Sequence, residues 1–260
     1  MRQRTISAIV LLIILISSVL IGKYAFSILM GVCAVIGFCE FFYVKFKKDQ
    51  RLIPVLIVGI LSVILMVLNN CFYKLEIKEC ILIPLFCLSL PIVFYNDNKL
   101  YNICDALYVL GAVYFLGLSF GNIVLMSITS VSRCVFIFII SFMTDTYAYI
   151  GGNLIGRHKL TSISPKKTIE GSLIGAVVGS IIGAVYYYNV VGSVTIFESV
   201  CLCLFLSIIS ELGDLLFSSI KRYFSVKDYS NLIPGHGGIL DRFDSVIYVS
   251  LGLSLILSLF

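Results

Sequence analysis

Apolar runs of about 18 residues or more, separated by short polar stretches, recur along the whole chain, and each could cross a hydrocarbon core of roughly 30 Å as an α-helix. The pattern predicts nine helices, at about 5–22, 24–44, 52–69, 80–96, 105–122, 133–150, 171–192, 194–216 and 243–260. The ends of the fifth are blurred by Asp105 and by Gly111, Gly117 and Gly121. The expected fold class is all-α, a polytopic integral membrane protein of about nine transmembrane helices. The start Met1-Arg-Gln-Arg-Thr5, with apolar residues from Ile6 to Ile21, resembles a signal sequence. No A-x-A-like cleavage site follows it, so it reads as a retained first span.

Composition narrows the class. Of 260 residues, 60% are hydrophobic and 13% charged, against about half and about a quarter in a soluble domain. Disorder is excluded, because it requires low hydrophobicity and high charge. The net charge of +5 would suggest nucleic acid in a soluble chain, but here the placement of the charges matters more, and no nucleic-acid partner is expected. Basic loops stay cytoplasmic. With the N-terminus inside, all of the 19 Lys and Arg except Lys23, Lys74, Lys78 and Arg133 fall in cytoplasmic loops. The orientation expected is N-terminus in, C-terminus out. The nine Cys form no C-x-x-C pair, and they read as small apolar residues within the spans.

The two halves differ. Residues 1–130 have short connections and read as a scaffold of transmembrane helices. Residues 131–260 read as a catalytic region, carrying two long cytoplasmic loops at about 151–170 and 217–242. No internal repeat is visible.

Ionisable groups in or near a bilayer are costly and usually functional. Asp145 lies near the cytoplasmic end of the sixth span, and Glu211 and Asp214 near that of the eighth. Asp241 and Asp244 open the last span. The i, i+3 spacing of each pair puts both acids on one helix face. Several carboxylates thus gather at one depth, and Mg²⁺ characteristically takes one or two carboxylates plus substrate phosphates. Beside them lie basic, glycine-rich loops. The first reads Gly151-Gly-Asn-Leu-Ile-Gly-Arg157-His-Lys159, then Ser164-Pro-Lys166-Lys167-Thr-Ile-Glu170-Gly171. Glycines admit an anion close to backbone N–H groups, lysines add charge, and a helix N-terminus opens near Glu170. The second contains Ser218-Ser-Ile-Lys221-Arg222, Lys227-Asp228-Tyr-Ser230 and Pro234-Gly-His236-Gly237-Gly238-Ile-Leu-Asp241-Arg242-Phe-Asp244. Such irregular backbone at membrane depth is tolerated where protein buries it or it lines a wet cavity.

This second stretch resembles the signature of the phosphatidate cytidylyltransferases, also called CDP-diglyceride synthases, at every fixed position over the 27 residues from Ser218 to Asp244. Asp145-Thr, Ala148-Tyr149, Gly152, Gly156-Arg157, Ser164-Pro-Lys166, Thr168 and Glu170-Gly171 also look like that family, with Asn153 standing where a basic residue is common and Ile155 where Phe is common.

The resemblance implies an integral-membrane nucleotidyltransferase of phospholipid biosynthesis that converts CTP and phosphatidic acid to CDP-diacylglycerol and diphosphate. It implies dependence on Mg²⁺, with K⁺ as a second ion. It further implies a homodimer in the plasma membrane, with the active site on the cytoplasmic side. By motif the metal ligands fall on Asp214 and Asp241, with Asp145 and Asp244 as further ligands. Lys221, Arg222, Lys166 and Lys167 would bind phosphates, Ser218 would position one, and Lys227 and Arg242 would join the substrate contacts. His236 and the amides of Gly237 and Gly238 would stabilise the leaving diphosphate, so that Lys221, Asp241 and His236 make the catalytic set. No protein nucleophile is needed, because phosphatidate brings its own attacking oxygen and the enzyme supplies positioning and charge neutralisation.

Three other readings are weighed against this one. A CDP-alcohol phosphotransferase requires a D-G-x-x-A-R…G-x-x-x-D-x-x-x-D run, which is absent. A cytidylyltransferase acting on an isoprenoid ether lipid stays open to a substrate assay. A secondary transporter of a phosphorylated or cationic solute would place its polar residues at the midplane and repeat one half of the chain; neither feature is seen. No P-loop occurs, and no G-x-S-x-G elbow accompanies the two His, His158 and His236.

Overall fold

The structure, a computed structural model, describes residues 2–47, 49–73, 75–94, 100–192 and 194–259. Lys48, Lys74 and Lys99 of the charge pattern lie outside the described residues, as do positions 95–96 and 260 of the expected fourth and ninth helices. Nine α-helices are present among the described residues: α1 Arg2–Ile21, α2 Lys23–Phe46, α3 Ile53–Leu68, α4 Ile77–Phe94, α5 Ile103–Thr129, α6 Val131–Ile155, α7 Ile169–Tyr186, α8 Ile196–Tyr223 and α9 Leu240–Leu259. Seven of them, counting the π-helical turns that continue α3 and α7, are long and apolar enough to cross a membrane. The protein is an all-α, multi-pass membrane protein.

α5, α6 and α8 run well past their expected C-terminal ends, to Thr129, Ile155 and Tyr223. α5 begins cleanly at Ile103, because Asn102 and Asp105 exchange side-chain-to-backbone hydrogen bonds of 2.9 Å that cap it. The Asp105 carboxylate also meets Lys45 at 2.8 Å. α6 continues through Gly151 and Gly152 to Ile155, and α8 continues through Ser218, Lys221 and Arg222 to Tyr223. The expected loops at 151–170 and 217–242 are therefore shorter than their polar sequences suggest. Polar residues do not end a helix without a backbone break. Here that break comes at Ser225, in the left-handed region at φ 57.

The chain divides into two units. The first comprises residues 1–128 and 228–240. In it α2 packs on both α1 and α3, and α3 packs on α4. Close approaches replace large side chains: a Cβ at Gly117 would fall 2.7 Å from the sulfur of Met66.

The second unit comprises residues 129–227 and 241–260. Its α6 and α7 meet along a row of small residues. Gly171, Gly175, Gly179 and Gly183 recur every four residues on α7. A Cβ at Gly171 would fall 2.6 Å from the carbonyl oxygen of Ala148, and one at Gly175 would fall 2.7 Å from the Ala148 methyl. Farther along, Gly179 faces Thr144 and Gly183 faces Ile140. Lipid tails supply no hydrophobic drive for helix pairing, so such backbone proximity and its dispersion contacts hold the pair. The opposite face of α7 carries Leu173, Val177, Ile181 and Val185, all exposed, as lipid-facing residues should be. Thr144 donates to Ser207 of α8 at 3.1 Å, and Gly213 of α8 lies against Tyr248 of α9.

Candidate active site

In the second unit, the end of α6, the loop 156–168, the start of α7 and α8 enclose a cavity of about 550 Å³. Its lining includes Asp145, Tyr149, Gly152 and Asn153 of α6, Lys166, Lys167 and Thr168 of the loop, Ser172 of α7, and Glu211 and Asp214 of α8. The loop is held in a fixed course. The Glu170 carboxylate accepts the backbone N–H of Arg157 at 3.1 Å and of His158 at 3.2 Å, and meets His158 Nδ1 at 2.6 Å. Leu160 N donates to Lys167 O and Ile169 N to His158 O, both at 2.9 Å, which closes the loop as a narrow hairpin. Thr168 caps α7 by accepting from Gly171 N. The start of α7 thus anchors the lysines that precede it.

Most of the acids expected from the sequence come together here. Lys167 Nζ lies 2.7 Å from Asp214 Oδ2, and Ser218 donates to Asp214 Oδ1 at 3.2 Å, one helical turn along α8. Asp145 accepts from Ser245 Oγ at 2.9 Å. Asp145, Asp214 and Asp244 lie close enough to feel one another's charge. Lys221 and Asp241 are both buried and pair at 2.7 Å, and the Lys221 charge reaches Asp244. These two, with Ser218 and Asp244, are not among the lining residues of the cavity. Arg222 is turned to the loop backbone, donating to Val226 O at 3.2 Å, and Lys166, Lys227 and Arg242 are exposed.

His236, Gly237 and Gly238 belong to the first unit. There His236 Nδ1 is 2.6 Å from Ser7 Oγ of α1. Gly235 and Gly237 take φ values of 77 and 79, a conformation that favours glycine, in a turn closed by Ile233 N donating to Gly237 O at 2.8 Å. Gly238 is buried, and a Cβ there would strike the Glu40 carboxylate.

The donor set of the second unit fits a hard cation. All of its candidate ligands are carboxylate oxygens, and buried Glu211 Oε1 has no hydrogen-bond partner among the described residues, an arrangement that is costly unless something donates to or coordinates it. Among the described residues no three His, Cys, Asp or Glu side chains close around one point. Sequence reasoning noticed Glu211 through its spacing from Asp214 but gave it no role. It missed Ser245 and Glu40 entirely. An acid alone in the apolar run of α2 was the signal for Glu40.

A helical bundle with an apolar exterior, holding carboxylates and lysines around a cavity, is the build of a multi-pass membrane enzyme for charged substrates. More particularly, the chain belongs to the cytidylyltransferase family, which it matches over residues 2–260. It is thereby a nucleotidyltransferase, and cytidylyl transfer generally needs a divalent metal. Relatives include the phosphatidate cytidylyltransferases of Staphylococcus haemolyticus, 31% identical over 253 residues, and of Staphylococcus aureus, 32% identical over 253 residues. That of Staphylococcus epidermidis is 33% identical over 253 residues, and each alignment covers 96% of both chains.

Proposed function

We propose that the protein is a phosphatidate cytidylyltransferase, joining CTP and phosphatidic acid to give CDP-diacylglycerol and diphosphate. The observation that carries this reading is the pairing of Lys167 with Asp214 beside Asp145 and Glu211 around one cavity. Such a site can hold a polyanion and a cation together. Lys166 and Lys167 bind phosphate, because the loop that Glu170 anchors fixes where they stand. Ser218 orients Asp214 and positions a phosphate, and Lys221 serves the phosphates while holding Asp241 in place. Arg222, Lys227 and Arg242 add positive charge at the ends of α8 and α9. For His236, Gly237 and Gly238 the support for a role at the leaving diphosphate is the family resemblance of their motif.

Mg²⁺, with K⁺ as a second ion, is the expected cofactor; bound, it neutralises charge on the reacting phosphates. Asp214 and Asp241 would hold the metal, with Asp145 and Asp244 as further ligands, and part of the shell would come from water and substrate phosphate. An oxygen of the phosphatidate phosphate attacks the α-phosphorus of CTP, the bond to the β-phosphate oxygen breaks, and diphosphate leaves. The chain's residues align the two substrates and offset their repulsion. We place the chemistry in residues 131–260, facing the cytoplasm across the plasma membrane, with 1–130 as scaffold. The test is diphosphate release from CTP by the purified protein in lipid nanodiscs. Release that depends on phosphatidate supports the assignment; release without lipid, or only with an isoprenoid ether phosphate, overturns it.

A further inference from the structure

The first unit buries a carboxylate to which the sequence reading gave no task. Glu40 lies on α2 and is only 5% exposed. Burying an ionised acid is expensive unless it is fully hydrogen-bonded. Here Oε1 accepts from Ser230 Oγ at 2.6 Å and from Ile239 N at 2.9 Å, while Oε2 accepts from Leu240 N at 2.9 Å. The two amides are consecutive, and Leu240 is the first residue of α9. A helix N-terminus leaves such N–H groups without intrahelical partners and favours negative charge, and Glu40 supplies both needs from a position 200 residues away.

The neighbouring contacts repeat this docking. Gly238 is small where a Cβ would collide with the Glu40 carboxylate. One turn earlier on α2, a Cβ at Gly37 would fall 2.9 Å from Leu240 Cδ2. One residue later, Phe41 meets Tyr229 edge to face with centroids 5.4 Å apart. One face of α2, at Gly37, Glu40 and Phe41, is therefore shaped to receive residues 229–240.

We infer that Glu40 is a positioning residue for the transfer reaction: its carboxylate latches the backbone of Ile239 and Leu240 and so fixes the chain immediately before Asp241. The inference rests on the role proposed above for Asp241. Glu40 touches no substrate, and it acts through the two amides it holds. A misplacement of about 1 Å in a catalytic group can cost on the order of a hundredfold in rate, so a carboxylate that pins the preceding backbone governs turnover without governing substrate binding.

The experiment uses full-length protein in lipid nanodiscs, with Glu40→Ala, Glu40→Gln and Gly37→Val, which crowds Leu240, compared with wild type. Hydrogen–deuterium exchange over 229–240 and phosphatidate-dependent diphosphate release are both measured on protein that elutes as wild type does. All three variants are expected to exchange faster over 229–240. Their kcat should fall about tenfold or more, with KM for CTP within about twofold of wild type. Glu40→Gln, which keeps one acceptor oxygen, should lose least. Faster exchange with unchanged kcat would leave Glu40 a purely structural anchor and overturn the inference, as would unchanged exchange. Wild-type protein without phosphatidate-dependent release would instead remove the proposed reaction, and the positioning role with it, whatever the exchange shows. Should Glu40→Ala fail to fold, Glu40→Gln and Gly37→Val carry the comparison.

Discussion

At the scale of single residues, the buried pair Lys221–Asp241 makes the most direct test of the site. Asp241→Asn removes the negative charge that faces Lys221 at 2.7 Å. On the metal-holding role proposed for Asp241, activity at saturating Mg²⁺ and CTP should fall below about a tenth of wild type, since a bound metal ion supplies several kcal/mol of charge stabilisation. Breaking a buried ion pair commonly costs about 3 kcal/mol or more in stability, so thermal unfolding of the variant should be followed alongside turnover. Lys167 differs, because it is partly exposed and lies on a loop rather than in the bundle. Lys167→Ala should keep the fold and raise KM for CTP about tenfold, the equivalent of one lost charge-assisted contact. Asp145, Asp214, Asp241 and Asp244 were visible in the sequence, because carboxylates at helix ends in an apolar chain have few innocent explanations. Glu40 was not, because its purpose is met by Ser230, Ile239 and Leu240, and no local spacing announces partners so distant in sequence.

At the scale of elements, all nine helices could be anticipated from runs of apolar residues, while their ends could not. The sequence around Gly151-Gly152 and from Ser218 to Arg222 is polar and glycine-bearing, so it resembles loop. In the folded chain Gly152 lies against Thr168 and Gly171, and Ser218 and Lys221 are occupied by Asp214 and Asp241, so helix continues through both stretches. Pairing of α6 with α7 was equally invisible, because glycines every four residues state a close approach without saying to what. The pairing predicts that Gly179→Leu, which would drive a side chain into Thr144, destabilises the protein by about 1–3 kcal/mol or prevents assembly. Val177→Leu, on the exposed face, should be nearly neutral. Unfolding curves of the two in the same detergent make the comparison.

At the scale of the whole molecule, hydropathy announces a membrane protein, and charge placement predicts an orientation for it. The expected N-in arrangement puts the loop 156–168 on the cytoplasmic side. A membrane-impermeant amine reagent should therefore label the exposed Lys159 and Lys166 in inside-out vesicles and spare them in intact cells, as read by mass spectrometry of the loop peptide. Labelling from outside would invert the topology. The division into two units was the least legible feature. Residues 228–240 group with the first unit although they sit deep in the second half of the sequence, and that grouping depends on side-chain fit on α2 rather than on any periodic pattern.

Lys167 with Asp214, and Lys221 with Asp241, already act as each other's counterions within the fold. A nucleotide arriving alone would draw a lysine away and leave an acid among other acids, and a divalent ion arriving alone would meet the mirror-image problem. Occupancy by either partner must then favour the other, and by the same factor in both directions. Titrating a non-reactive CTP analogue with and without Mg²⁺ should reveal this cooperative uptake, and it should weaken when Lys167 is replaced by Ala, with the Lys221–Asp241 pair still in place.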